Sequence, residues 1–186
     1  MKKQLIVVDD FYINPDDVRD FALSQEFNRT GNYPGRRTEQ NWNRRPNESI
    51  FNTFQKLLGE PLEPWNYEKL GYSSSFQITT ETDETWIHTD ETDWAAVIYL
   101  TPNAPHNSGT AFYSIPSIDL RERQDRSGKD FDNKDPGWVK SDVVSNVYNR
   151  LVLYSGYLYH RSDLPGFGTD KYSGRLFQTF FFNSMR

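Results

Sequence analysis

Apolar positions change their spacing about a third of the way along this chain of 186 residues, and with it the kind of structure they specify. Leu5-Ile6-Val7-Val8 is a short apolar run of strand length. Asn14-Pro15-Asp16-Asp17 then sets a capping side chain before a proline and two acids, the signature of a helix start. Val18, Phe21, Ala22 and Leu23 fall on one stripe at helical spacing, which predicts a helix over about residues 15–26. Residues 30–46, rich in Gly, Pro, Asn and Arg, read as a long ordered loop. A second helix fits residues 48–58, with Ile50, Phe51, Phe54, Leu57 and Leu58 turned inward and Gly59 and Pro61 ending it.

From Tyr67 onward the runs are short, β-branched or aromatic, and separated by turn formers. Strands are predicted over 70–80, 85–88, 94–100, 110–113, 150–155 and 175–182, with a turn or loop over 164–168. Residues 117–140, including Arg121-Glu122-Arg123, are polar and read as an excursion from the sheet, either a lid or a surface insertion. Helices first and strands afterwards predict a mainly β fold with N-terminal helices: a jelly-roll sandwich, or double-stranded β-helix. The length fits one domain over 1–186, with a helical part to about residue 66 and the jelly-roll core after it.

Composition narrows the chemistry. With no cysteine, thiolate metal sites, iron–sulfur clusters, disulfides and a cysteine nucleophile are all excluded, so any metal must be held by His, Asp or Glu. No apolar run approaches the roughly 20 residues of a membrane span, and the run after Met1-Lys2-Lys3 is too short for a secretory signal. A cytoplasmic protein without membrane contact is therefore expected. The formal charge of −5 argues against sequence-independent nucleic-acid binding. Locally, Arg29, Arg36, Arg37, Arg44 and Arg45 face one acid, Glu39, and are interleaved with Tyr33 and Trp42. That stretch is either a solvated connection or a mouth segment that grips an anion.

Three residues carry the candidate chemistry. In a strand, residues i and i+2 share a face, so His88 and Asp90 can address one ion while Thr89 turns away. His160 follows the apolar run Leu151-Val152-Leu153-Tyr154, and Arg175 heads the next aromatic strand. Two imidazoles and a carboxylate leave the opposite side of a metal open, the arrangement by which non-haem Fe(II) takes a co-substrate and dioxygen. His106 lies among turn formers and is left out of the site, while Glu91 and Asp93 are out of phase with Asp90.

His88-Thr89-Asp90, Val97-Ile98-Tyr99-Leu100, Ser108-Gly109-Thr110-Ala111-Phe112, Asn149 to Tyr154 leading to His160, and Gly174 to Phe181 occur in the order found in one family. Over about residues 70–183 the chain resembles the 2-oxoglutarate/Fe(II)-dependent dioxygenases, in particular the prolyl-hydroxylase-like branch and small oxygenase-like proteins of bacteria and phage. The opening Val7-Val8-Asp9-Asp10-Phe11 is similar to the start of many such enzymes. The resemblance implies that His88, Asp90 and His160 hold Fe(II) and that Arg175 pairs with the distal carboxylate of 2-oxoglutarate. It further implies a phenol from Tyr99 and a hydroxyl from Thr179 on that co-substrate, and hydroxylation of a small molecule or peptide by dioxygen. Arg175 stands fifteen residues after His160, further than in many members, so Lys171 at eleven is a rival, and Phe177 occupies a position where many members carry serine.

Two other readings compete. A cupin-like metalloenzyme would use the same sandwich without 2-oxoglutarate. A non-catalytic binding or virion-associated β-sandwich would expose a patch built from Trp42, Trp65, Trp86, Trp94 and Trp138. An amino acid, a peptide and an anionic metabolite suit the loops equally as substrate, and a sheet edge offers a route to self-pairing.

Overall fold

A computed structural model describes residues 3–39, 46–65, 73–118, 122, 137–164 and 166–185, with the side chains of 46, 47 and 118 excepted. Along the chain run β1 (Leu5–Val8), α1 (Pro15–Leu23), β2 (Arg29–Gly31), β3 (Tyr33–Arg37), α2 (Pro46–Leu58), β4 (Phe76–Thr79) and β5 (Trp94–Tyr99). Then follow β6 (Thr110–Ser114), β7 (Val139–Val144), β8 (Leu151–Ser155), β9 (His160–Ser162) and β10 (Arg175–Phe182). The strands form a seven-stranded sheet, β1-β8-β5-β10-β4-β3-β2, and a three-stranded sheet, β7-β6-β9. Every pairing between them is antiparallel. This is the expected jelly-roll sandwich with helices on one side.

Alternation along the central strands explains the layering. Ala96, Ile98, Leu151, Leu153, Leu176, Phe180 and Phe182 turn toward the helices, where Ala22, Ile50, Phe54 and Leu58 meet them. Phe54 stacks on Phe182 at 5.2 Å and meets Phe180 edge-on at 5.4 Å. The alternate residues Ala95, Val97, Tyr99, Val152, Tyr154 and Phe177 face Phe112 and Val144 of the smaller sheet. Both faces of β5, β8 and β10 are thus buried, which is why these segments read as unbroken apolar runs.

Several boundaries depart from the expectations. α1 stops at Leu23, three residues short of the predicted end, and Asn14 makes no side-chain cap. α2 begins earlier, at Pro46. Within the predicted loop 30–46, residues 29–37 form a hairpin that extends the large sheet through Arg36↔Ile78 and Arg37↔Gln77. Gly35, at φ +72°, makes this approach possible, since a Cβ there would stand 2.0 Å from the Ile78 carbonyl oxygen. The predicted strand 85–88 reduces to a single bridge at His88, and the one over 70–80 to Phe76–Thr79, with residues 70–72 outside the described residues. Most of the excursion 117–140, including Arg121 and Arg123, also lies outside them, but Val139–Val144 is a strand. Among the described residues no helix is long and apolar enough to cross a membrane.

Candidate metal centre and its cavity

The backbone brings the two histidines together. His88 and His160 are opposite partners in an antiparallel bridge: His88 N–H donates to the His160 carbonyl at 3.0 Å, and His160 N–H to the His88 carbonyl at 2.9 Å. Two residues on, Asp90 N–H donates to the Gly156 carbonyl at 2.7 Å, which lays the carboxylate beside the imidazoles. Gly156 is required there, because a Cβ would fall 2.2 Å from the Thr92 carbonyl oxygen and 3.2 Å from Cβ of Asp90. Asp93 braces the same turn: its carbonyl accepts from Gly156 N–H and its carboxylate accepts from the Tyr157 hydroxyl at 2.9 Å.

One donor atom from each of His88, Asp90 and His160 lies within 4.8 Å of the others. Nδ1 of His88 is 3.0 Å from the Trp86 carbonyl oxygen, and Nδ1 of His160 is 2.8 Å from that of Leu158. A carbonyl only accepts, so each Nδ1 carries the proton and each Nε2 presents its lone pair. Orientation of this kind by an outer partner is what a metal-ligating histidine needs. Asp90 Oδ2 sits 3.5 Å from Nε2 of His160. The donor set of two oriented imidazoles and a carboxylate fits a divalent first-row metal. His106 stands apart in the 3₁₀ turn His106–Ser108.

Tyr154, to which the sequence pattern assigns no role, completes this corner. It is buried, and its hydroxyl lies 3.2 Å from Nε2 of His160, toward which it donates. Burial, with the Asp90 charge adding to it, pushes the phenol well above its ordinary range, so it stays protonated. Its place six residues before His160 on an alternating strand was the available signal.

These residues open onto a cavity of about 430 Å³, a volume typical of small-molecule sites. Arg175 forms part of its wall at 2% exposure, with Nε donating to the Ser108 carbonyl at 2.7 Å and an Nη to that of Gly109 at 3.3 Å. Burial pulls the guanidinium down from its ordinary value, and the neighbouring Tyr99 phenol opposes that shift. Thr179 also lines the cavity, with its hydroxyl 3.3 Å from the Ser75 carbonyl oxygen. Tyr99 lies behind the wall under Arg175, sharing a 2.7 Å hydrogen bond with Thr110, and burial raises its phenol. Lys171 is elsewhere: its ammonium donates to the Leu23 carbonyl at the end of α1. The described tryptophans form no exposed patch, because Trp65, Trp86, Trp94 and Trp138 are buried or half-buried; Trp42 lies outside the described residues.

Comparison with known proteins agrees with the architecture. HygX from Streptomyces hygroscopicus, solved with nickel, 2-oxoglutarate and hygromycin B bound, superposes with a TM-score of 0.63 at 11% identity, over 99% of this chain and 84% of that one. SnoK, a non-haem α-ketoglutarate-dependent carbocyclase from nogalamycin biosynthesis, gives 0.63 at 17% identity over 97% and 79%. A Trichoplax adhaerens prolyl hydroxylase, in complex with a peptide fragment of the hypoxia-inducible factor oxygen degradation domain, gives 0.58 at 13% identity over 96% and 83%. These likenesses establish the double-stranded β-helix fold. No curated protein sequence matches the chain. Residues 1–135, which include the hairpin, both helices, His88 and Asp90, match a family of unknown function, DUF6445, and the chain belongs to that family.

Proposed function

We propose that the protein is an Fe(II)- and 2-oxoglutarate-dependent oxygenase that hydroxylates a small-molecule or peptide substrate. The observation that carries this reading is the paired orientation of His88 and His160, whose Nδ1 atoms are tied to backbone carbonyls while both Nε2 lone pairs converge with Asp90 beside a cavity. Fe(II) held there would supply dioxygen activation coupled to oxidative decarboxylation of 2-oxoglutarate. The chain's own work is orientation and exclusion of water. Arg175 offers its remaining guanidinium N–H groups to the distal carboxylate, with Thr179 on the same strand face. Tyr154 keeps a protonated hydroxyl at the metal corner, beside Nε2 of His160, where it would help orient that ligand. The apolar rings of Phe177 and Phe181 shield the wall between them.

A second reading has one observation in its favour. Arg175 already donates to two backbone carbonyls, which suits a structural arginine in a cupin-like enzyme that needs no 2-oxoglutarate. Anaerobic titration of the protein with Fe(II) and then 2-oxoglutarate, followed by the visible charge-transfer band of the chelate, separates the two. The expected result is a band in wild type, no iron binding in His160→Ala, and a roughly 10–100-fold higher 2-oxoglutarate requirement in Arg175→Gln, as for a charge-assisted hydrogen-bonded pair. Iron binding without a band favours the cupin-like enzyme. Wild-type iron affinity in His160→Ala overturns the metal site.

A further inference from the structure

The cavity wall holds a second buried arginine besides Arg175. Arg37 is 6% exposed and its Nε donates to Gln77 Oε1 at 2.7 Å. The Gln77 amide in turn donates to the Pro34 carbonyl at 2.7 Å, so the hairpin that carries the arginine also fixes its support. The guanidinium stacks on the Tyr33 ring at 3.8 Å and lies 5.5 Å from the Phe181 ring. Immobilising so large a cation in a wall, under an aromatic lid, costs desolvation and side-chain entropy. A solvated connection would require neither.

Arg37 shares a sheet row with Gln77 and Phe177, so it is the side chains that set the two guanidinium groups apart. Arg175 lies over the Phe177 ring at 4.3 Å, whereas the Arg37 guanidinium approaches the Phe181 ring, at 5.5 Å, four residues further along β10. Phe181 pairs with Ala95, and Ala95 with Tyr154, so the ring that the Arg37 guanidinium approaches shares a row with Tyr154, whose hydroxyl lies beside His160. Among the described residues, the charged groups lining the cavity are Arg37, Arg161 and Arg175 against Asp90 and Glu91, besides the two histidines and the neutral phenols of Tyr33 and Tyr154. Once Asp90 is committed to a cation, the interior favours an anionic guest.

We propose that Arg37 receives a carboxylate of the substrate, which makes the substrate an organic acid whose remaining carbon skeleton lies between Tyr33 and the His88–Asp90–His160 corner. This rests on the oxygenase reading above, in which Arg175 takes the co-substrate. A single planar fork suits a flat carboxylate better than a phosphate dianion, which gathers several cations or backbone N–H groups. Arg37 is then a specificity-determining residue, and the predicted anion-gripping segment works through one of its arginines, built into a sheet.

The test uses the full chain loaded anaerobically with Fe(II) and 2-oxoglutarate, with benzoate, phenylacetate and hippurate as probes, each paired with its neutral carboxamide. Binding is read by saturation-transfer NMR and the chelate by its charge-transfer band. Wild type is expected to prefer each acid over its amide by about 10-fold or more. The preference disappears in Arg37→Gln and is partly kept in Arg37→Lys, while the 2-oxoglutarate requirement of both variants stays within about 3-fold of wild type. Circular dichroism and melting temperature verify that the variants fold, and the wild-type preference stands as an independent test if Arg37→Gln does not. Equal binding of acids and amides in wild type, or an undiminished preference in Arg37→Gln, overturns the assignment. A preference lost in Arg175→Gln and retained in Arg37→Gln overturns it as well. Absence of the band in wild type overturns the oxygenase reading instead, so the two failures are told apart.

Discussion

The two faces of the large sheet answer to different demands. On the helix side β10 presents Leu176, Phe180 and Phe182 to an apolar layer, whereas on the other side the same strand presents Arg175, Phe177, Thr179 and Phe181 to the cavity. Both faces are almost wholly buried. Burying apolar groups stabilises the fold without further conditions, but burying Arg175, Arg37, Thr179 and Tyr154 costs free energy unless each finds polar partners. Of the polar side chains that β10 buries, Arg175 and Thr179 lie on the side that lines the cavity, and Gln178, on the other, is held by the Tyr12 hydroxyl.

The contrast can be broken most strongly from the apolar side. Phe54→Ala removes a fully buried ring that touches Phe180 and Phe182, and should lower stability by about 3–5 kcal/mol in chemical denaturation while leaving Fe(II) affinity of the folded fraction within about 3-fold. A larger change in iron affinity would mean that the two faces are not independent. Gly156→Ala acts on the other side. Its Cβ would press on the Thr92 carbonyl, so the Asp90 segment must shift, costing about 1–3 kcal/mol and about 10–100-fold in Fe(II) affinity by isothermal titration. Unaltered affinity would show that the carboxylate does not depend on this close approach.

The smallest effect belongs to neither face. At the rim Arg150 grips Asp9 through Nε at 2.6 Å and an Nη at 2.9 Å, and this pairing holds the carboxyl below its ordinary range. A depressed pKa in the folded state stabilises it above the carboxyl's unfolded pKa, and the contribution is lost as pH falls through the folded value. Because the Asp9 side chain is 55% exposed, Asp9→Asn should cost less than about 1 kcal/mol at neutral pH and nothing in acid. A pH-independent loss in urea titrations would contradict the ionic origin.

What the sequence revealed and concealed divides along the same line. Helical stripes such as Ile50, Phe54 and Leu58 and the unbroken runs of β5, β8 and β10 were legible because periodicity reports burial directly. His88, Asp90 and His160 were legible as a spacing within a strand context, although the segment before Asp90 turned out to be one bridge and no strand. Arg37 and Tyr154 were not singled out. Nothing local distinguishes a buried arginine in a Gly- and Pro-rich segment from a solvated one, since its burial comes from pairing with Gln77, forty residues away. The hairpin escaped notice for the same reason: its strands are stabilised by the neighbouring β4 more than by their own composition.

The solitary rung between His88 and His160 also makes the site a reporter of local opening. With no ladder on either side along residues 81–93, the His88 amide is fastened by one hydrogen bond, to a carbonyl 72 positions later in the chain. Its proton should therefore exchange with deuterium through a small local fluctuation, well before those of β5 or β8 are released by global unfolding. An ion that clasps both rings would hold that rung shut, and the slowing of one amide would measure the free energy with which it does so.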